Sequence, residues 1–170
     1  MYRVKQFWWA LHARVPAEAW PAIESILTAE QLALFRAMSP SDQRHNLNVY
    51  RAVLAEGHTN QDLLLAALLH DVGKAGSQLR LWHRVAIVLL RAFWPAALEH
   101  LSKGEARGWR AGFVIHRRHP ELGAERALAV GCSPLTVTLI RRHQEPPAAN
   151  SASTEEDRLL AVLQRADGIS

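Results

Sequence analysis

The segment Leu63–Lys74, LLLAALLHDVGK, decides the reading of this chain. Seven apolar residues run directly into His70 and Asp71, followed by Val72, Gly73 and Lys74. A run of this length suits a buried helix, and its end delivers an imidazole and a carboxylate side by side into the interior. Burying a carboxylate without a partner is costly, so buried charges are paired or bind metal. A metal is the simplest reason to end the most apolar helix on His-Asp. The pair alone is weak evidence, because adjacent helical side chains point about 100° apart. Further ligands must come from elsewhere in the chain.

Composition sets the bounds. A chain of 170 residues fits one domain, long enough to bury about two thirds of its surface. Apolar residues make up 49% of it, enough for an ordinary packed core. The single Cys132 excludes an intramolecular disulfide and a thiolate metal site, which fits a reducing compartment and a cytoplasmic location. The apolar centre of the N-terminus, Phe7 to Leu11, is too short for a secretory signal. No run approaches the ~20 apolar residues of a membrane span, so no transmembrane segment is expected. A net charge of +4 favours anionic partners in general. No zinc finger, aromatic–glycine RNA motif or long Lys/Arg run is present, so no specific nucleic-acid partner is expected.

The elements read as helices throughout, without a useful period-2 strand signal: the expected class is all-α. Residues 2–13, with Phe7, Trp8 and Leu11 on one face, and 17–37 form two helices separated near Val15-Pro16. Ser39-Pro40-Ser41-Asp42 is a helix start, carrying His45 towards a stop at Gly57. Thr59 to Asp62 repeats the start signal, and Gly73 lets the chain turn away after His-Asp. Residues 79–98 place Arg80, His83, Arg84 and Arg91 on a narrow polar stripe of an otherwise apolar helix. That pattern predicts burial in the protein core or in a homodimer contact, with a membrane surface as the other cover. Pro95 bends or ends this helix, and 99–110 is a polar connection in which Trp109 packs. One or two helices follow over Arg110 to Gly131, and Ser133-Pro134 opens the next, ending near His143. Pro146 to Ser151 is a loop. Ser153 and Glu156 form a capping box for the last helix, which carries Asp167.

Five segments thus deliver a candidate near a helix end or on a helix face: His45, His70-Asp71, His119, His143 and Asp167. Four imidazoles and two carboxylates suit a divalent metal such as iron, manganese or zinc. One carboxylate can bridge two ions that share a water. His116 shares a helical face with His119 and competes with it. His12, His58, His83 and His100 read as structural.

The ordered set H (His45), HD (His70, Asp71), H (His119, in HPELGAERA), H (His143, in IRRHQE) and D (Asp167, in RADG) resembles the HD-domain superfamily over roughly Pro40 to Ile169. That superfamily comprises helical metal-dependent phosphohydrolases and some di-iron oxygenases. The resemblance implies an HD-domain helical bundle over 1–170, with an N-terminal helical extension (1–38) and a core (40–169) interrupted by an insertion (75–110). The four-ligand form would put one metal on His45, His70, Asp71 and Asp167. His119 and His143 look like the six-ligand, two-metal branch, with Asp71 bridging. Small diadenosine-tetraphosphate hydrolases and HD-GYP cyclic-dinucleotide phosphodiesterases are similar in pattern. The chain departs from both: it has no Gly-Tyr-Pro triplet, carries Asn48 three residues after the first His, and has the long 75–110 segment.

The chemistry expected from this set is hydrolysis of a phosphoester or phosphoanhydride, of a nucleotide or related metabolite, by a metal-held hydroxide attacking phosphorus in line. Lys74 and Arg142 are the candidate cations for the phosphoryl oxygens, and His116 the candidate acid for the leaving group. Two other readings use the same ligands: a di-iron oxygenase, and a non-catalytic metal-stabilised module that binds a ligand or partner.

Overall fold

The structure is a computed structural model, and it describes residues 14–77, 81–146 and 154–169. The expected helix 2–13, all of the 146–151 loop after Pro146 and Ser153 lie outside the described residues. Among those described, the chain is helical and contains no strand. The α-helices, in order, are α1 (Trp20–Glu24), α2 (Ala29–Arg36), α3 (Pro40–Ala55), α4 (Gln61–Leu69), α5 (Leu81–Phe93), α6 (Pro95–Leu101), α7 (Ala111–Ala129), α8 (Pro134–Arg142) and α9 (Glu155–Ile169). Short 3-10 turns cover Ala17–Ala19, Val72–Lys74 and Gly108–Arg110.

Capping explains most boundaries. Ser39 Oγ accepts from the Asp42 amide at 3.2 Å to start α3. That helix ends in a Schellman turn, with Gly57 at φ +84° and the His58 amide bonded to the Val53 carbonyl. Asn60 caps α4 through the Leu63 amide at 3.0 Å. The expected single helix over 17–37 is broken. Thr28 and Gln31 form a reciprocal capping box that starts α2 afresh, a T-x-x-Q signal present in the sequence. The last helix is capped one residue later than expected, by Thr154, whose Oγ1 accepts from the Asp157 amide at 3.1 Å.

The core is α4 and what surrounds it. Leu63, Ala66, Ala67, Leu68 and Leu69 are fully buried. They meet α3 on one side, α8 and α9 on others. Asn46 on α3 donates to the Leu68 carbonyl at 2.8 Å. Thr136 at the start of α8 donates to Asp62 Oδ1 at 2.8 Å, and Ser133 donates to the same carboxylate. These ties fix the ends of α3, α4 and α8 relative to one another.

Helix α5 corrects an expectation. It is not a core helix: His83 and Arg84 of its polar stripe pack towards the rest of the chain, Arg91 of the stripe is exposed, and Arg80 lies outside the described residues. His83 is buried with its Nε2 donating to the Trp109 carbonyl at 2.8 Å. Arg84 pairs with Asp42 at 2.9 Å, and Arg91 donates to His116 Nε2 at 2.9 Å. Ile87 is the apolar residue of this helix that is buried. Leu90 is half-buried, while Trp82, Val85, Val88, Leu89 and Phe93 are exposed, Val88 to 63%. Trp109, expected to pack, is 60% exposed, its edge touching Phe113. Pro95 does separate α5 from α6. Among the described residues, no helix is long and apolar enough to cross a membrane.

Candidate metal centre

Four elements converge on the end of α4. His70 is its C-cap and Asp71 follows in the bridge conformation (φ −95°, ψ 2°) before the Val72–Lys74 turn. His45 comes from α3, His119 from α7, His143 from the end of α8, and Asp167 from α9. His70, Asp71, His119 and His143 are buried; His45 and Asp167 lie at the rim.

Their ligating atoms form two adjacent triads, His45–His70–Asp167 and Asp71–His119–His143, within each of which they lie within 4.8 Å of one another. Asp167 Oδ1 lies 2.7 Å from His45 Nε2 and 3.5 Å from His70 Nε2. Asp71 stands between the triads. Its Oδ2 is 3.8 Å from His70 Nε2 and its Oδ1 is 3.4 Å from His119 Nε2. His119 and His143 face each other with their Nε2 atoms 3.2 Å apart.

The tautomers follow from the backbone. A carbonyl can only accept, so an imidazole nitrogen bonded to one must carry the proton. His70 Nδ1 donates to the Ala67 carbonyl (3.1 Å), His119 Nδ1 to the His116 carbonyl (2.6 Å) and His143 Nδ1 to the Ile140 carbonyl (2.7 Å). Ala67 and Ile140 sit in the last turns of α4 and α8, where carbonyls lack intrahelical partners. The His116 carbonyl is free for another reason: residue 120, which would have supplied its amide, is proline. Each neutral imidazole therefore turns an unprotonated Nε2 inwards, the arrangement that metal-ligating histidines show. His70 Nε2 is buried without a hydrogen-bond partner, and buried polar atoms rarely stay so. Facing lone pairs, an orphaned buried nitrogen and two carboxylates fit a divalent cation.

Electrostatics agree. Burial alone would raise Asp71, but Lys74, His70 and His119 hold it well below the usual carboxylate range. Asp167 is likewise held low against burial, by its contacts with His45 and His70. Burial and the neighbouring His70 and His119 push His143 down to about 3. Burial also lowers His119, despite the opposing pull of Asp71. His70 moves the other way: burial lowers it, yet Asp71 and Asp167 outweigh that and raise it above 6.5.

This has a pH consequence. A metal must displace the His70 proton, whereas His119 and His143 are already neutral. Metal affinity is therefore expected to rise as pH climbs through the raised His70 value and then to level off. Calorimetric titration with Mn²⁺ or Zn²⁺ from about pH 5.5 to 8.5 reads this. An affinity that is flat from the lowest pH upwards removes His70 from the ligands.

The candidate cations divide. Lys74 Nζ lies 2.6 Å from Asp71 Oδ1, inside the centre. Arg142 does not join it: its guanidinium binds Glu145 (2.9 Å), Glu156 (2.5 Å) and Asp157 (3.2 Å). His116 stacks beside His119, accepts from Arg91 and is pushed down to about 3 by burial and by the neighbouring His119 and cations. With Nε2 accepting from Arg91, the ring presents no Nε2 proton to a leaving group in this arrangement. His58 lies 3.7 Å from Glu56 and His83 serves α5, in keeping with structural readings; His12 falls outside the described residues.

Two supporting residues carry no motif. Arg126, two turns beyond His119, donates to the Val72 (2.6 Å) and Ala75 (2.9 Å) carbonyls and so clamps α7 to the turn that follows Asp71. Arg91 reaches His116, the neighbour of the ligand His119, from the cavity-lining face of α5.

An all-helical chain that gathers His and Asp side chains from separate helices around an HD pair defines a class of metal-binding helical proteins. A family comparison agrees: the HD domain family matches residues 44–170. The chain belongs to the HD domain family, a family of metal-dependent hydrolases in general that bind divalent metals. Comparison with curated proteins and with solved structures found no match.

Proposed function

We propose that this protein is a metal-dependent phosphohydrolase with a two-metal centre, cleaving a phosphoester or phosphoanhydride. The observation that carries the reading is Asp71, whose two oxygens face different triads while three histidines, each tied through Nδ1 to a backbone carbonyl, turn their Nε2 atoms to the same space. His45, His70 and Asp167 would hold one ion, His119 and His143 the other, with Asp71 between them. Divalent ions there supply Lewis acidity and a water activated near neutral pH.

The remaining work falls to this chain's own groups. Lys74 Nζ, beside Asp71 and lining an adjacent cavity, contributes a fixed positive charge for phosphoryl oxygens. The backbone carbonyls that hold His70, His119 and His143 keep each ring oriented with Nε2 inwards, so His119 and His143 need no proton rearrangement before ion binding and His70 has only its Nε2 proton to lose. Helices α4, α7 and α8 enclose the inner triad, which keeps bulk water from His119 and His143.

The test is elemental analysis of protein purified without chelator, alongside hydrolysis of p-nitrophenyl phosphate and bis-p-nitrophenyl phosphate and an oxygen-electrode trace. About two ions per chain, with phosphate release that His119→Ala abolishes, is the expected result. A loaded protein that consumes oxygen and releases no phosphate replaces this reading with the oxygenase one. One ion per chain, unchanged in His119→Ala, reduces the centre to its outer triad.

A further inference from the structure

A cavity of about 630 Å³ opens beside the metal centre, between α5 and the residues Lys74 and His116. Its other lining residues are Arg84, Ile87, Val88, Arg91 and Ala92, all from α5. The lining therefore contains three cations and three aliphatic side chains, and no carboxylate, amide or hydroxyl side chain among the described residues.

Charge pairing separates the three cations. Lys74 is paired with Asp71 at 2.6 Å, and Arg84 with Asp42 at 2.9 Å. Arg91 donates to an imidazole nitrogen, His116 Nε2, and meets no carboxylate within ion-pair distance among the described residues. Its charge is uncompensated and faces the cavity next to the centre. A guanidinium in that position is suited to an anion with several acceptor oxygens, phosphate above all.

The residues between and beside the arginines say what the anion is attached to. Ile87, Val88 and Ala92 share the cavity-lining face of α5 with Arg84 and Arg91, and offer dispersion contact and no hydrogen bonds. A nucleobase needs acceptors as well as donors for its edge atoms, and no carboxylate, amide or hydroxyl side chain among the described residues lines the cavity. Val88 both lines the cavity and is 63% exposed, so the aliphatic wall runs out onto the exposed apolar side of α5, formed by Val85, Leu89 and Trp82. An apolar strip of that kind marks a binding surface more often than a solvated one.

We infer that the substrate of this centre is an aliphatic phosphate: a phosphate ester or anhydride whose anionic head is held by Arg91 beside Lys74 and whose hydrocarbon body lies along Ile87, Val88 and Ala92. The inference rests on the phosphohydrolase reading and narrows its substrate away from nucleotides. It also gives the orientation of α5 a purpose: Arg84 and Arg91 line the cavity beside the centre to take the head, and Val88 carries the aliphatic lining out to the exposed side of the helix to take the chain. The same chemistry is met by a free alkyl or isoprenoid phosphate and by a phospholipid head in a bilayer.

The test uses non-hydrolysable probes on the metal-loaded full chain. Octylphosphonate, kept below its micelle concentration, is expected to bind at least about tenfold more tightly than methylphosphonate, since each buried methylene is worth about fourfold. Val88→Ser, an uncharged change at an exposed position of the aliphatic lining, is expected to reduce that preference by about fourfold or more. Arg91→Gln is expected to weaken both probes by about tenfold or more, the loss of a charge-assisted bond. Equal affinity for the two phosphonates, a preference that is undiminished in Val88→Ser, or AMP binding more tightly than octylphosphonate overturns the inference. Sedimentation with phosphatidylcholine vesicles, with and without phosphatidic acid, distinguishes the sources. Retention that requires phosphatidic acid places the substrate in a bilayer, and octyl preference without retention places it in solution. Octyl preference in a protein that releases no phosphate from any ester keeps this site and defeats the phosphohydrolase reading instead.

Discussion

Asp71→Asn is expected to empty the centre while leaving the fold in place. The substitution keeps the shape of the side chain and removes its charge. Asp71 is the residue whose oxygens face both triads, so under the proposed two-metal centre the loss strikes both ion positions together. Loss of an outer hydrogen-bonding partner alone costs about 10–100-fold in metal affinity. Removing the one buried carboxylate between the triads is expected to exceed that range, with hydrolysis falling to background. Lys74 loses its 2.6 Å partner but keeps some access to solvent, so the metal-free variant is expected to lose less stability than a core truncation would cost. The measurement is elemental analysis after purification without chelator, paired with urea unfolding of the metal-free forms. A variant that retains both ions and full activity ends the bridging role for Asp71. A variant that retains one ion leaves it on His45, His70 and Asp167, the triad that does not contain Asp71.

Gly73→Ala is expected to be the most destabilising single-methyl change in the chain. A Cβ at this position falls 1.9 Å from the His119 carbonyl oxygen, 2.7 Å from its carbon and 2.8 Å from the Gly123 nitrogen. All three are backbone atoms, which cannot rotate out of the way as a side chain would. The Val72–Lys74 turn and α7 must therefore separate, against the Arg126 clamp that holds them together. Overpacking of a well-filled interior costs about 1–3 kcal/mol, and this contact lies at or beyond the upper end. His119 moves with its carbonyl, so metal binding is expected to fail along with stability. Gly76 supplies the contrast. It sits at φ +72° with open space around its Cβ position, so Gly76→Ala is expected to cost about 1–2 kcal/mol through backbone strain alone. Urea midpoints of the two metal-free variants decide the matter. A Gly73→Ala protein as stable as Gly76→Ala contradicts the close approach.

Gly73 also shows where a sequence reading takes the right residue for the wrong reason. The glycine after His-Asp suggests a turn that needs conformational freedom. In the structure its φ is not positive; the positive-φ glycines here are Gly57, Gly76, Gly104, Gly108 and Gly131. What Gly73 supplies is the missing side chain that lets two ligand-bearing segments touch backbone to backbone. Nothing in the pentapeptide HDVGK distinguishes the two roles, because the second depends on α7.

The N-cap residues Ser39, Asn60 and Ser133, the apolar run of α4 and the order His45, His70-Asp71, His119, His143, Asp167 are all local or ordinal features. The sequence alone therefore determined an all-α chain, most of its helix starts and the family to which it belongs. The clustering of the His and Asp side chains, which nitrogen each histidine turns inwards, and what α5 faces were decided only by the tertiary structure. The first required helices distant in sequence to meet at one point. The second depended on backbone carbonyls freed by two helix ends and by Pro120. The third could not be read from a helical stripe, because periodicity defines two faces of α5 without saying which is covered. Pairing of Arg84 with Asp42 and of Arg91 with His116 settled it, setting the two arginines against the rest of the chain and leaving Val85, Leu89 and Phe93 exposed. Arg142, beside a ligand in sequence, is drawn instead to Glu145, Glu156 and Asp157, because the nearest carboxylates in space and not in sequence set where a guanidinium goes.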